Sequence, residues 1–362
     1  MVTKSSSRPA DLVRLVYNEH RLILWLSTGY VLLGGFTLKL FGRPWPIAVP
    51  QTYLEFFAAW TACTGAWLLW QYMRSPARLR RAIVLPRLCG AVLLALIVVP
   101  TQITFQALKQ SIGHVVTFRS DVLLYKWGLA LHGRMAWEWF LPVLRHPLAV
   151  IVLDDLYMLW FVGLFAFLMW ACWTQSRTLR QRAVTAFLLM WIVPGTLVAA
   201  ILPSAGPCYL AQAVPGATQY QPLIARLDSI GSQWGPLHAR INQRNIWDFS
   251  QRDQWAPFAG ISAMPSLHVA IAVLYFLIAR RRSRLAGVLL GAYAILVQIG
   301  SIVLGWHYAV DGYAGALLAV ACWKAADVMA KDAGSADAVE AIIANTVPER
   351  GTLARIQTAC GV

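Results

Sequence analysis

Charged residues are scarce in this chain. Its 362 residues include 16 Asp and Glu and 31 Lys and Arg, 13% of the total. A soluble globular chain carries roughly 25% charged and about 45–50% apolar residues. Here 58% are apolar and the mean hydropathy is +0.56. Too few polar side chains exist to cover a water-facing surface, which excludes a soluble domain and points to an integral membrane protein. Cysteine is sparse too, at Cys63, Cys89, Cys172, Cys208, Cys322 and Cys360. There is no CxxC and no Cys/His ligand spacing, so neither a zinc site nor a disulfide framework is indicated, and no metal or cofactor is expected. The net charge of +15 is not clustered on one polar face. It falls in short Arg runs between apolar segments, which argues against a nucleic-acid partner. Residues 1–22 lack the pattern of a cleavable signal, and the apolar stretch after them is long enough to stay in the membrane.

What is present is apolar runs and tryptophan. The 17 Trp suit aromatic belts at the two bilayer interfaces. A span needs about 20 helical residues, and segments near 23–42, 53–73, 88–107, 148–172, 183–202, 264–280, 285–305 and 307–328 qualify. The fold class expected is therefore all-α, a polytopic membrane helix bundle of about eight spans. Arg74–Arg87, Arg177–Arg182 and Arg280–Arg284 alternate onto one side with the basic N-terminus. By the positive-inside rule that side, with both termini, is cytoplasmic. The segments 108–147 and 203–263 then face outward. The first carries an apolar stretch at 134–147 that reads as an interfacial amphipathic helix, and 206–262 reads as an irregular cap. The domain organisation expected is an N-terminal cytosolic segment with two accessory spans (1–87), a catalytic membrane domain with a six-helix core (88–330) and a flexible cytosolic tail (331–362), with a short helix near 336–346.

Two histidines sit at matched depth on the outer side. His268 lies in Ala-Met-Pro-Ser-Leu-His-Val at the entrance of span six, and His307 in Leu-Gly-Trp-His-Tyr-Ala-Val-Asp-Gly at the entrance of span eight. Ionisable groups there are costly unless used or paired. Asp311 follows His307 by four residues, so on a helix it shares the face of His307 and accepts a hydrogen bond from one ring nitrogen. The other nitrogen then presents its lone pair, as in an oriented nucleophile. Ser266, before His268, marks a helix start with free backbone N–H groups, a ready anion site, and His268 is placed to act as general acid. A single interfacial His is ordinarily an amphipathic anchor, and a single His–Asp pair a structural bond. Asp155, with Asp154 and Tyr157, sits in the outer half of span four, either facing a polar headgroup or paired with an outer-loop Arg.

These residues resemble the type 2 phosphatidic acid phosphatase superfamily. Pro265-Ser266-Leu267-His268 is similar to its Pro-Ser-Gly-His motif, and His307 with Asp311 to the end of its Ser-Arg-x5-His-x3-Asp motif. Leu267 in place of Gly, and the His-Tyr-x-x-Asp form, look most like the inositol phosphorylceramide synthase branch and its bacterial relatives. The resemblance implies an integral-membrane lipid phosphatase or phosphotransferase, in a bacterial inner membrane, with its site on the periplasmic face. It implies that His307 is the nucleophile forming a phosphohistidine, Asp311 its orienter and His268 the acid. The substrate would be a phospholipid or other lipid phosphate, with water, a polyol or a lipid hydroxyl as acceptor. The segment 202–209 looks like a loop of the same branch, which implies that Gly206 and Tyr209 line the pocket. The sequence also departs from the pattern. Gly300 and Ser301 stand at the Ser-Arg positions, and the family's Lys-x6-Arg-Pro motif is absent. Some other cation must meet the phosphate; Lys109 and Arg119 are candidates, with Lys126, Arg145, Arg226, Arg240, Arg244 and Arg252. The competing reading is a transporter or flippase without covalent chemistry, which also suits eight spans with intramembrane Asp.

Overall fold

The computed structural model describes residues 9–45, 51–75, 85–252, 254–256 and 258–332. The described residues form helices and no strand. The chain runs through α1 (Pro9–Leu40), α2 (Gln51–Arg74), α3 (Leu85–Val115), α4 (Asp121–His132), α5 (Pro147–Trp173) and α6 (Arg177–Ile201). It continues through α7 (Gln221–Trp234), α8 (His238–Gln251), α9 (Leu267–Ala279), α10 (Arg284–Val303) and α11 (Ala309–Asp332). Six of these, α1, α3, α5, α6, α10 and α11, are long and apolar enough to cross a membrane. The two remaining expected spans fall short for different reasons. Helix α2 is long enough at 24 residues but carries Gln, Thr and Glu along its length. Helix α9 is apolar but has only 13 residues, about 20 Å at 1.5 Å per residue. Its N-terminal approach is irregular chain, entered through a cis Met264–Pro265 bond. The tail after Asp332, including the expected helix near 336–346, lies outside the described residues.

Polar contacts give the helix directions. At one end, Arg180 of α6 pairs with the buried Glu19 of α1, and Gln181 Nε2 donates to the Glu19 carbonyl at 2.6 Å. Arg282, after α9, donates to Thr174, after α5, at 3.2 Å. Arg182 pairs with Asp327 of α11 at 3.0 Å and lies over the Trp323 ring. The Arg-rich segments 177–182 and 280–284 thus gather at one end of the bundle. The starts of α5, α9 and α11 lie at the other, which is the end that holds both motif histidines. Helix α1 runs along α3, where Ser27 and Thr101 hydroxyls bond, and Tyr30 Oη reaches Thr196 Oγ1 of α6 at 2.7 Å.

The cap over the histidine end is more regular than its composition implies. Helix α7 places Leu223, Leu227 and Ile230 at helical spacing, all fully buried, with Pro222 in its first turn, where a missing N–H costs nothing. Helix α8 is fastened at its start by Asp154, which accepts from the His238 and Ala239 N–H groups at 2.5 and 3.0 Å. A buried carboxylate at a helix N-terminus satisfies otherwise unpaired donors and complements the helix dipole. Asp228 braces α7 to α8, accepting from Arg240 Nε at 2.9 Å and from Arg244 at 2.7 Å. Partial burial pushes the Asp228 carboxyl up, but the bonds and charges of Arg240 and Arg244 outweigh it and hold it below the usual carboxylate range. The stretch 134–147 departs from the expected amphipathic helix. It is a 3-10 turn (Ala136–Phe140) and a four-residue helix (Leu141–Leu144). Trp137 and Leu144 are buried in the core while Trp139 and Leu141 stay exposed. Pro142 and Pro147 break the run.

Candidate active site

Several segments converge beneath α8: the end of α3, the middle of α5, Trp191 of α6, the start of α9 with the chain leading into it, the loop 203–209, and the turn 304–308 between α10 and α11. They enclose a cavity of about 430 Å³ lined by His268, His307, Lys109, Tyr209, Ser262, Asn242, Asn245 and a set of aromatic side chains that includes Tyr157, Trp160, Phe161 and Trp306.

His307 is set by the turn rather than by a helix. Gly305 adopts φ +76°, a left-handed conformation open to glycine at little cost. The chain then doubles back so that Trp306 and His307 N–H both donate to the Ser301 carbonyl at 3.0 Å. His307 Nδ1 lies 2.8 Å from the Ala263 carbonyl oxygen. A carbonyl only accepts, so Nδ1 carries a proton, and in the neutral ring Nε2 keeps the lone pair. The Asp311 carboxylate is fully buried, with Oδ2 3.6 Å from Nδ1. That is beyond hydrogen-bond length but well within electrostatic reach. The same oxygen accepts the Tyr308 N–H at 2.8 Å. This is the return half of a capping box, in which an acid at the third helical position reaches the cap residue. The expected helical i,i+4 bond is thus replaced: His307 precedes α11, Ala263 takes the ring proton, and Asp311 supplies charge behind the ring.

His268 is the second residue of α9. Its ring stacks on Tyr157 with centroids 4.9 Å apart and lies 4.3 Å from the Trp160 ring. Trp160 Nε1 donates to the His268 carbonyl at 3.1 Å. The His268 and His307 ring centroids are 5.9 Å apart. Ser266 sits behind the cavity wall: it is fully buried, its N–H donates to the Asp311 carbonyl at 2.9 Å, and its Oγ accepts the Val269 N–H. It therefore joins the start of α9 to the start of α11.

Among the described residues lining the cavity, Lys109 of α3 is the one Lys or Arg. Arg119 is exposed and outside that lining. Arg226 donates to the Leu144 carbonyl, and Arg240 and Arg244 hold Asp228. Asp155 is also outside the lining; it is exposed, 3.5 Å from His238 Nε2. Its neighbour Asp154 is the buried one, spent on the α8 cap. Gly300 and Ser301, at the positions of the motif's Ser-Arg, pack α10: a side chain at 300 would meet the Tyr157 ring, and Ser301 holds the His307 turn.

Tyr209 lines the cavity, stacked on Trp247, and donates to the Gln243 carbonyl at 2.8 Å. Burial pushes the neighbouring Cys208 thiol far up, so it stays protonated and is no nucleophile. Gly206 has φ +94° and ψ 167°, a region open in practice only to glycine. A Cβ there would lie 2.8 Å from the Trp306 carbonyl oxygen and 2.9 Å from the Ala263 Cβ. Gly206→Ala is therefore expected to cost about 1–3 kcal/mol of strain and to push apart the two segments that hold His307. A lowered melting temperature together with a lowered kcat is the expected result.

The sequence pattern of the PAP2 superfamily matches residues 123–325, more than half of the chain. The chain belongs to the PAP2 superfamily. With six apolar membrane-length helices, it is a membrane enzyme of the phosphatase type. No curated protein and no solved structure matches it. The PAP2 match contains both histidines, the loop 203–209 and the whole cap; Lys109 and Asp121 lie before it. Reading the sequence missed three groups of this PAP2 site. The Ala263 carbonyl is a backbone atom with no residue-type signal. Asn242 and Asn245 stand three apart on a helix hidden in a polar stretch. Asp121 opens α4, marked only by the Ser-Asp pair before an apolar run.

Proposed function

We propose that this protein cleaves a phosphoester of a membrane lipid through a phosphohistidine on His307. The observation that carries the reading is the Nδ1–H bond to Ala263, which leaves the Nε2 lone pair available beside a cavity that also holds His268 and Lys109. In the first half-reaction Nε2 attacks phosphorus, the P–O bond to the lipid breaks, and the departing oxygen takes a proton from His268. The ring becomes a cation, which the Asp311 carboxylate stabilises. In the second, a water or acceptor hydroxyl attacks phosphorus and gives its proton to His268, and the P–N bond breaks. Lys109 offsets the charge that builds on the phosphoryl oxygens. The positive-inside rule supports an Arg-rich end in the cytoplasm and a site on the opposite face.

Transfer of a phospho-headgroup, such as phosphoinositol, to a lipid hydroxyl shares the first half-reaction. The aromatic lining favours it, because a dry wall disfavours water as acceptor. Purified protein in mixed micelles tests both outcomes, with a lipid phosphomonoester in one arm and a phosphoinositol lipid plus a lipid alcohol in the other. Released inorganic phosphate indicates hydrolysis; a new phospho-headgroup lipid indicates transfer. No turnover in either arm, with lipid movement across vesicles, supports the transporter instead.

Lys109→Met is expected to lower kcat/KM by about 10²–10³-fold, the scale of removing one transition-state donor, and Lys109→Arg to recover part of it. Steady-state kinetics with the same lipid measure this, and an unchanged kcat/KM would remove Lys109 from the site.

A further inference from the structure

Asp121 stands at the first position of α4, fully buried, and nothing above gives it a role in the reaction. Its carboxylate accepts four hydrogen bonds. Oδ1 takes the Ser204 hydroxyl at 2.9 Å, the Gly206 N–H at 2.8 Å and the Tyr308 hydroxyl at 3.0 Å. Oδ2 takes the Ala205 N–H at 2.8 Å. A buried carboxylate is tolerated when donors surround it and a helix N-terminus lies beneath it.

The partners are more telling than their number, because they close a ring around His307. Ser204, bonded to Asp121 through its hydroxyl, accepts the Ala263 N–H on its own carbonyl at 2.9 Å. Ala263 in turn accepts the His307 Nδ1–H. On the other side His307 is joined by a peptide bond to Tyr308, and the Tyr308 hydroxyl returns to Asp121. The acceptor that fixes the imidazole and the backbone that carries it are therefore both referred to one carboxylate. Tyr308 is held at its two ends by different acids, its N–H by Asp311 and its hydroxyl by Asp121. A further bond, from the Cys208 N–H to the Gly305 carbonyl at 2.9 Å, joins the same two segments.

We infer that Asp121 is a positioning residue: through Ser204 and Tyr308 it fixes the rotation and tautomer of the His307 ring. The inference rests on the reading of His307 as the nucleophile. A plain loop staple would lower stability when lost and leave the folded enzyme's turnover alone. A positioning residue would lower kcat with KM nearly unchanged, since a misplacement of about 1 Å costs on the order of 10²-fold.

Asp121→Asn sets an amide NH2 against donors, and Tyr308→Phe removes a single hydroxyl while the carboxylate keeps its other partners. The first is expected to lower kcat by about 10²-fold and the second by about tenfold, with KM within about threefold of the parent. The double variant is expected to be no slower than Asp121→Asn, because both act on one linkage. Imidazole 15N spectra, with the His307 signal identified by its loss in His307→Gln, report the tautomer whether or not His307 is the nucleophile. The parent is expected to show Nδ1–H alone and both variants a mixture. Variants that keep the parent tautomer and a kcat within twofold overturn the inference. If Asp121→Asn does not fold, Tyr308→Phe decides by the same two readouts.

Discussion

His307→Ala is expected to abolish turnover, lowering kcat by on the order of 10⁵-fold or more, the scale seen when a covalent nucleophile is removed. The size follows from the lack of a substitute. Cys208 is buried, which disfavours its thiolate. His268 is packed between Tyr157 and Trp160, and among the described residues its ring has neither the bond to a backbone carbonyl nor the nearby carboxylate that His307 has. The fold should survive the change. The substitution removes one hydrogen bond and leaves the Ala263 carbonyl without its partner, a cost of about 1–3 kcal/mol. Kinetics on purified variant with a cooperative melting transition check this. A kcat within tenfold of the parent would mean that another group attacks phosphorus.

The second largest effect is expected at His268, and it should depend on the substrate. His268→Gln removes the acid that protonates the departing lipid oxygen. With an alkyl phosphate, whose alkoxide is a poor leaving group, kcat is expected to fall by about 10²–10⁴-fold. With an aryl phosphate of low leaving-group pKa the fall should be less than about tenfold, because the oxygen leaves without a proton. An equal loss on both substrates would place His268 in binding rather than in proton transfer. The ratio of the two losses is the quantity to measure, since it is insensitive to the amount of active protein.

The general plan was legible in the sequence because apolar length and scarcity of charge are properties of segments. Six helices follow from them directly. Helix α9 was harder: its apolar run merges with the irregular chain at 263–266, so a 13-residue helix read as a full span. The cap was obscured by composition, since the Gln, Asn and Arg of α7 and α8 masked the Leu223, Leu227 and Ile230 stripe. Within the site, Lys109, Tyr209, His268 and His307 line one cavity, and Gly206 packs against Trp306 and Ala263 beside it, whereas Arg119 and Asp155 are exposed and outside that lining. A single Arg or Asp in a loop gives no sequence sign of which way it turns. The His307–Asp311 spacing pointed to the right neighbours but not to their bonding. The Gly305 turn ends α10 and restarts the helix at Ala309, so the two residues are not on one helical face. Asp121 is distant in sequence from Ser204 and Tyr308, and only folding brings the three together.

The central claim is the covalent intermediate, and trapping it tests the account most directly. The purified protein would be mixed with a 32P-labelled lipid phosphate, quenched in alkali during the first turnover, digested and mapped by mass spectrometry. Acid-labile, alkali-stable phosphate on Nε2 of His307, absent from His307→Ala, is the result predicted. Label on any other residue, or a first turnover that releases product with no label on the protein, would contradict it.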